Sequence, residues 1–144
     1  MSFVAFNYGA NVIAFRKKGI NYGMTCAWAM QVDYDKILCL MGSQSVSGHA
    51  ICKGDIIGVS ALSDKQEDIS FKFGTKHSDS FDKFDDVLYT IDEGAILIDG
   101  ACNMMKCVVI DVLHLEGIEE DNLVYLRIID SKINDNSSFY QFKK

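Results

Sequence analysis

The sequence predicts a mainly β domain with short helices, its strands ordered in a Greek-key-like way into a closed or nearly closed barrel. Three observations support this. Apolar runs of strand length, several with period-2 alternation, recur between residues 12 and 129. Compact turns rich in Gly, Asp and Lys separate them, and only two short segments carry helical signals. Strands at this density favour closure, because closure removes exposed edges.

Residues 12–15 form the first apolar run, and Arg16-Lys17-Lys18-Gly19 supplies a turn whose Gly tolerates φ > 0. Residues 20–29 resume the extended pattern, giving a hairpin. Asp33-Tyr34-Asp35-Lys36 turns the chain into a third strand over 37–41. One or two helical turns are expected over 47–52, capped by Ser45 or Ser47. Gly54-Asp55 then leads into a buried strand over 56–62. Ser63-Asp64-Lys65-Gln66 has capping-box spacing, so a helix should open there and end at Gly74 in a left-handed C-terminal position.

Residues 75–86 read as a long polar surface loop pinned by Phe81 and Phe84, and a connection of that length favours a functional role. Residues 95–113 are extended, with a turn or bulge at Asp99-Gly100. A polar turn over 116–122 precedes a strand over 123–129, with Val124, Leu126 and Ile128 on one side. The polar tail over 133–138 is tied down by Phe139 and Tyr140.

The 144 residues fit one domain, 1–144, and a chain of this size buries roughly 70% of its unfolded surface without help from disulfides. The five cysteines are an odd number with no C-x-x-C pair, which argues for free thiols in a reducing compartment and against a metal site. No apolar stretch approaches the ~18 residues of a membrane span. The N-terminus lacks the basic, apolar and small-residue regions of a secretory leader. A cytoplasmic location, without membrane contact, is the expectation. The net charge of −6 argues against nucleic acid, which needs clustered cations. The acidic run Glu116-Gly117-Ile118-Glu119-Glu120-Asp121 reads as a solvated turn.

Residues 22–47 carry the strongest functional signal. Two apolar strand-like runs are followed by Gly42-Ser43-Gln44-Ser45-Val46-Ser47, a loop of small polar residues. Such strands can wall a flat ligand, while hydroxyls and amides at a helix N-terminus can hold an anionic group. The pairing suggests a phosphorylated, ring-containing cofactor.

Five segments, in order, resemble the flavin reductase-like family of FMN-binding split β-barrels over roughly residues 11–129. They are Gly23-Met24-Thr25-Cys26-Ala27-Trp28, the serine loop 43–47, Ile57-Gly58-Val59-Ser60-Ala61-Leu62, the stretch 74–84, and Ile98-Asp99-Gly100-Ala101 running on to Cys107. The resemblance implies a homodimeric flavoprotein in which electrons pass from NAD(P)H through FMN to an acceptor. That acceptor is free flavin, a monooxygenase or another redox protein partner. No catalytic side chain is required, since the cofactor carries the reaction.

On this reading Met24, Thr25, Cys26, Ala27 and Trp28 border the isoalloxazine ring. Ser43, Gln44, Ser45 and Ser47 hold the phosphate, His49 and Lys53 add charge, and His77 and Lys83 approach from the long loop. Each group has a plainer alternative: barrel core for 24–28, a helix-capping turn for the serines, and exposed surface for His77 and Lys83. Trp28, Phe81, Phe84 and Phe139-Tyr140-Gln141-Phe142 are candidates for a dimer interface. Three departures from the family pattern stand out. Asp33-Tyr34-Asp35-Lys36 replaces Asp-Pro-Pro, and His77-Ser78-Asp79-Ser80 lacks the family's arginine. Asn122 stands where many reductases place a histidine near the nicotinamide. These keep open a flavoredoxin-like FMN electron carrier without NAD(P)H activity, and a non-redox ligand-binding barrel.

Overall fold

Four consecutive residues, Val12, Ile13, Ala14 and Phe15, are each no more than 1% exposed, so the first strand is covered on both faces. The structure, a computed structural model, describes residues 5–42, 50–75, 84–118 and 121–141. They form nine strands: β1 (Asn11–Lys17), β2 (Ile20–Cys26), β3 (Ala29–Asp33), β4 (Lys36–Gly42), β5 (Ile56–Ala61), β6 (Tyr89–Asp92), β7 (Ala95–Ile98), β8 (Asn103–Leu113) and β9 (Asp121–Ile133). A nine-residue helix, α1 (Glu67–Thr75), follows β5.

All pairings are antiparallel, in the order β3-β4-β9-β8-β5-β1-β7-β6, with β2 on the other edge of β1. The run β2-β1-β5-β8-β9-β4 curls into a barrel that stops one pairing short of closure, because no strand ladder joins β2 to β4 among the described residues. Bulges in the β8–β9 ladder at Lys106/Cys107 and Val109/Asp111 bend these long strands around the core.

Alternation sorts side chains between two cores. Ile13 and Phe15 join Ile37, Cys39, Met41, Ile57, Val59, Cys107, Val109, Val124 and Leu126 inside the barrel. Val12 and Ala14 face the other way, toward Ile96, Ile98, Leu62, Phe73 and Phe84. The second core is roofed by α1 and the β6–β7 hairpin. Phe73 and Phe84 meet edge to face at 5.1 Å. Where β5 backs onto β7, the gap is narrow: a Cβ on Gly58 would lie 2.1 Å from the Ile96 carbonyl oxygen. Ser60, fully buried on the same face, accepts the Ile98 N–H at 2.9 Å.

Much of the expected order is present, with corrections. The run 20–29 is split into β2 and β3 by Ala27-Trp28, where Ala29 N donates to Ala27 O. The capping box forms its reciprocal arm, with Ser63 N–H donating to Gln66 Oε1 at 2.9 Å, while Ser63 Oγ accepts from Lys65 N at 3.3 Å. It closes a turn, however, and the helix opens at Glu67 and not directly after Ser63. Gly74 is not the left-handed cap that was expected. The helix continues through Thr75, and Gly74 has no positive φ. Strand β6 was not anticipated; its turn, Glu93-Gly94, has both residues at positive φ (53° and 98°) and matches the twist of a hairpin.

Phe84 is buried in the second core and so is not available as an interface aromatic. The tail is stitched down as expected, by a Ser63–Phe139 bridge and by Tyr140 N donating to Leu62 O at 2.9 Å. Of the helix expected over 47–52, only residues 50–52 are described, and Ile51 and Cys52 lie outside any helix.

Gly58→Ala should force the β5–β7 backbones apart and cost on the order of 2 kcal/mol. Ser60→Ala, which leaves the buried Ile98 N–H unpaired, should cost about 1–3 kcal/mol. Chemical denaturation midpoints at constant slope measure both.

Candidate functional site

The break between β2 and β3 lies at the incomplete barrel seam. Here Leu40 N donates to Trp28 O at 2.9 Å, and the Cys26 Sγ lies 3.3 Å from the carbonyl oxygens of Trp28 and Leu40. These contacts bring β2 to β4 without a ladder, and they leave Ala27-Trp28 as a short step with small side-chain bulk at 27. Three concavities meet at that step, and Ala27 lines all of them.

The first is an apolar limb of about 680 Å³, walled by Phe6, Trp28, Met30, Leu38, Leu40 and Leu123. It lies over the outer face of β4, whose inward residues Ile37, Cys39 and Met41 fill the barrel. Trp28 is 63% exposed here. The second, of about 330 Å³, lies between α1, the end of β2 and the two chain-end segments, and Tyr8, Thr25, Glu67, Ser70, Phe71 and Tyr140 line it. Thr25 Oγ1 donates to Ser70 O at 2.6 Å, fixing α1 against β2. The third, of about 560 Å³, sits at the barrel mouth between β3, the ends of β8 and β9, and residues 139–141.

The structure divides the predicted site residues. Met24 packs against the barrel core, and Cys26 is buried within it. Their side chains wall none of the three concavities. Thr25, Ala27 and Trp28 do. Ser43, Gln44, Ser45, Ser47, His49, His77 and Lys83 lie outside the described residues. Lys53 is exposed. Where the described chain resumes after the serine loop, Lys17 Nζ donates to Ala50 O at 2.7 Å and to Asp55 Oδ2 at 2.8 Å. Asn122 is buried opposite Met41 at the start of β9 and lines none of the three concavities. Sequence reasoning missed Tyr8, Glu67, Ser70 and Phe71, because the capping signal marked a helix but nothing local set that helix beside the N-terminal segment.

Cys26 and Cys39 form a hydrogen-bonded thiol pair at the seam, which lowers the Cys26 thiol and raises that of Cys39. The Cys39 thiol is held well above the ordinary thiol range by its hydrogen bond with Cys26 and by complete burial, and burial pushes Cys107 up to about 12. Cys102 is raised too, by burial and then by Asp64. Cys52 is the exposed thiol. Among the described residues no cluster of His, Cys, Asp and Glu is arranged to hold a metal, and no helix is long and apolar enough to cross a membrane.

Residues 3–143 match the family model described as flavin reductase like domain. No curated protein matches the sequence significantly. Among solved structures, this chain is similar to a Streptomyces globisporus NADH:FAD oxidoreductase in complex with NAD and FAD fragments. There the identity is 22% and the TM-score 0.85, over 96% of this chain and 82% of that one. It is similar to an FMN-binding protein from Thermus thermophilus with bound p-hydroxybenzaldehyde, at 12% identity and TM-score 0.83, over 94% and 77%. A flavoredoxin from Methanosarcina acetivorans shares 11% identity at TM-score 0.82, over 99% and 89%.

Thiol titration should separate the cysteines: one fast-reacting group in the native protein, lost in Cys52→Ser, and five after unfolding. A second consequence concerns pH. The native state holds the Cys107 proton up to about pH 12, whereas an unfolded thiol releases it near 9.0, so between those values the unfolded state binds fewer protons. The stability that Cys107 contributes below pH 9 is therefore expected to fall as pH rises through that window, and Cys107→Ala should flatten the fall in a pH series of melting curves.

Proposed function

The chain belongs to the flavin reductase-like family, and from that membership we propose that it is an FMN-binding oxidoreductase passing electrons from NAD(P)H through flavin to an acceptor. The observation that carries the reading is the meeting of three concavities at Ala27, on the segment that the family motif marks.

The apolar limb falls within the roughly 300–1,000 Å³ of small-molecule sites, and Trp28, Leu38 and Leu40 offer flat apolar walls for a tricyclic ring. Leu40 and Met41 lead directly to the serine loop, so Ser43, Gln44, Ser45 and Ser47 are the candidates for the phosphate end. His49, His77 and Lys83 remain the candidates for added positive charge. Met24 and Cys26 contribute through their backbone, since their side chains belong to the core. Trp28 excludes water from the ring. A bound flavin supplies the redox chemistry, taking a hydride from NAD(P)H and releasing its electrons to the acceptor.

Several further parts belong to the same proposal. The chain acts as one domain in the cytoplasm, where five unpaired thiols are at home. It forms a homodimer, to which Trp28 and Phe139, both largely exposed, contribute. Asn122 in place of the family histidine favours a second reading, a flavoredoxin-type carrier that takes electrons from a protein donor.

The test is retention of a flavin spectrum after incubation with FMN and desalting, followed by anaerobic addition of NADH and NADPH. The proposal expects retained flavin that bleaches on mixing. Retained flavin that neither nucleotide reduces selects the carrier, and a colourless protein defeats both. Ala27→Trp should weaken FMN binding at least about tenfold, or 1.4 kcal/mol, because it fills the common point of the groove. Quenching of Trp28, the chain's single tryptophan, reports the wild-type affinity, and equilibrium dialysis that of the variant.

A further inference from the structure

We propose that the limb beside α1 binds the adenosine end of the nicotinamide dinucleotide, and that Glu67 makes the protein select NADH over NADPH. This rests on the flavin being held from the apolar side of Ala27, as argued above.

The two limbs differ in kind. The apolar limb carries no charged side chain among its described lining residues, whereas Glu67 lines the α1 limb. Glu67 is the single charged group among the described residues there; the rest of the lining is aromatic, hydroxylic or small. Tyr8 from the N-terminal segment and Phe71 from α1 both line the limb, and Phe71 is 72% exposed. Aromatic area of that kind suits a purine.

The carboxylate fits a ribose and opposes a phosphate. An ionised carboxylate only accepts hydrogen bonds, and the vicinal 2′- and 3′-hydroxyls of an unmodified ribose donate to it. A 2′-phosphate has no such donor and brings like charge against Glu67, in a chain of net charge −6. Thr25 offers no alternative donor, because its Oγ1–H is given to the Ser70 carbonyl at 2.6 Å. That same bond ties α1 to β2 three residues after Glu67. Ala27 joins the limb to the apolar one, and a ligand seated at Glu67 can extend its other end across that small side chain toward the ring site.

Calorimetric titration of the FMN-loaded protein with ADP-ribose and with 2′-phospho-ADP-ribose tests the assignment without relying on turnover. The wild type should bind ADP-ribose at least tenfold more tightly. Glu67→Gln should bring the ratio below threefold, and Glu67→Lys should invert it, with circular dichroism and flavin retention unchanged in both. Steady-state kcat/KM for NADH against NADPH should shift in the same direction. Equal affinity for the two probes, a wild-type preference for the phosphorylated one, or a ratio unmoved by Glu67→Gln overturns the proposal. If flavin is retained and neither probe binds, the Glu67 assignment fails while the flavin reading stands. A protein that retains no flavin fails at the earlier step.

Discussion

Burial of β1 on both faces is the constraint on which the rest of the structure depends. A strand with one wet face needs only one packing layer, but Val12-Ile13-Ala14-Phe15 must be covered twice. The barrel covers Ile13 and Phe15, and the helix with the β6–β7 hairpin covers Val12 and Ala14. Each fully buried Val, Ile or Phe contributes roughly 1.5–3 kcal/mol, so losing either layer would remove a large share of a domain's net stability. The small residues follow from the same requirement. Ala14, Gly58 and Gly23 keep the two layers close, and a Cβ on Gly23 would strike the Phe73 ring at 2.7 Å.

The barrel seam is where this tight arrangement relaxes. The ladder continues from β2 through β1, β5, β8 and β9 to β4 and then stops, leaving one strand end bonded through single contacts. A closed ladder would place paired backbone along the whole rim. The gap instead gives two residues, Ala27 and Trp28, backbone that does not belong to a strand, and it opens three concavities around them. Irregular backbone held by a rigid scaffold is a common setting for ligand contact.

Legibility followed local signals. The strands with strong alternation, the β1–β2 and β3–β4 turns, and the Ser63–Gln66 cap were readable because each rests on neighbours in sequence. Strand β6 was not, since Tyr89-Thr90-Ile91-Asp92 is mixed in polarity and gains its strand character from pairing with β7. Gly74 misled for a similar reason. A glycine near a helix end usually marks a left-handed cap, but here the helix lies close over Thr25, where a Cβ would meet ordinary contact at 3.7 Å. In the site, Ala27 and Trp28 were visible through their motif. Tyr8, Glu67 and Phe71 were invisible because only the tertiary fold brings the N-terminal segment and α1 to the same limb. The inward direction of Met24 and Cys26 could not be separated from a ligand-facing one until the register of β2 on β1 was known.

The backbone of Leu62 receives both ends of the described chain. Its N–H donates to Ala10 O at 3.0 Å, and its carbonyl accepts from Tyr140 N at 2.9 Å. The segments that these two bonds hold, around Tyr8-Gly9 and Phe139-Tyr140, are walls of the groove and not parts of the barrel ladder. Both walls are therefore anchored on one residue. A local opening at Leu62 that breaks both bonds would free the two walls together while the doubly packed strand beside them stays closed. Amide protection at Leu62 and Tyr140 would then report the access of ligands to the groove, on an energy scale separate from that of global unfolding.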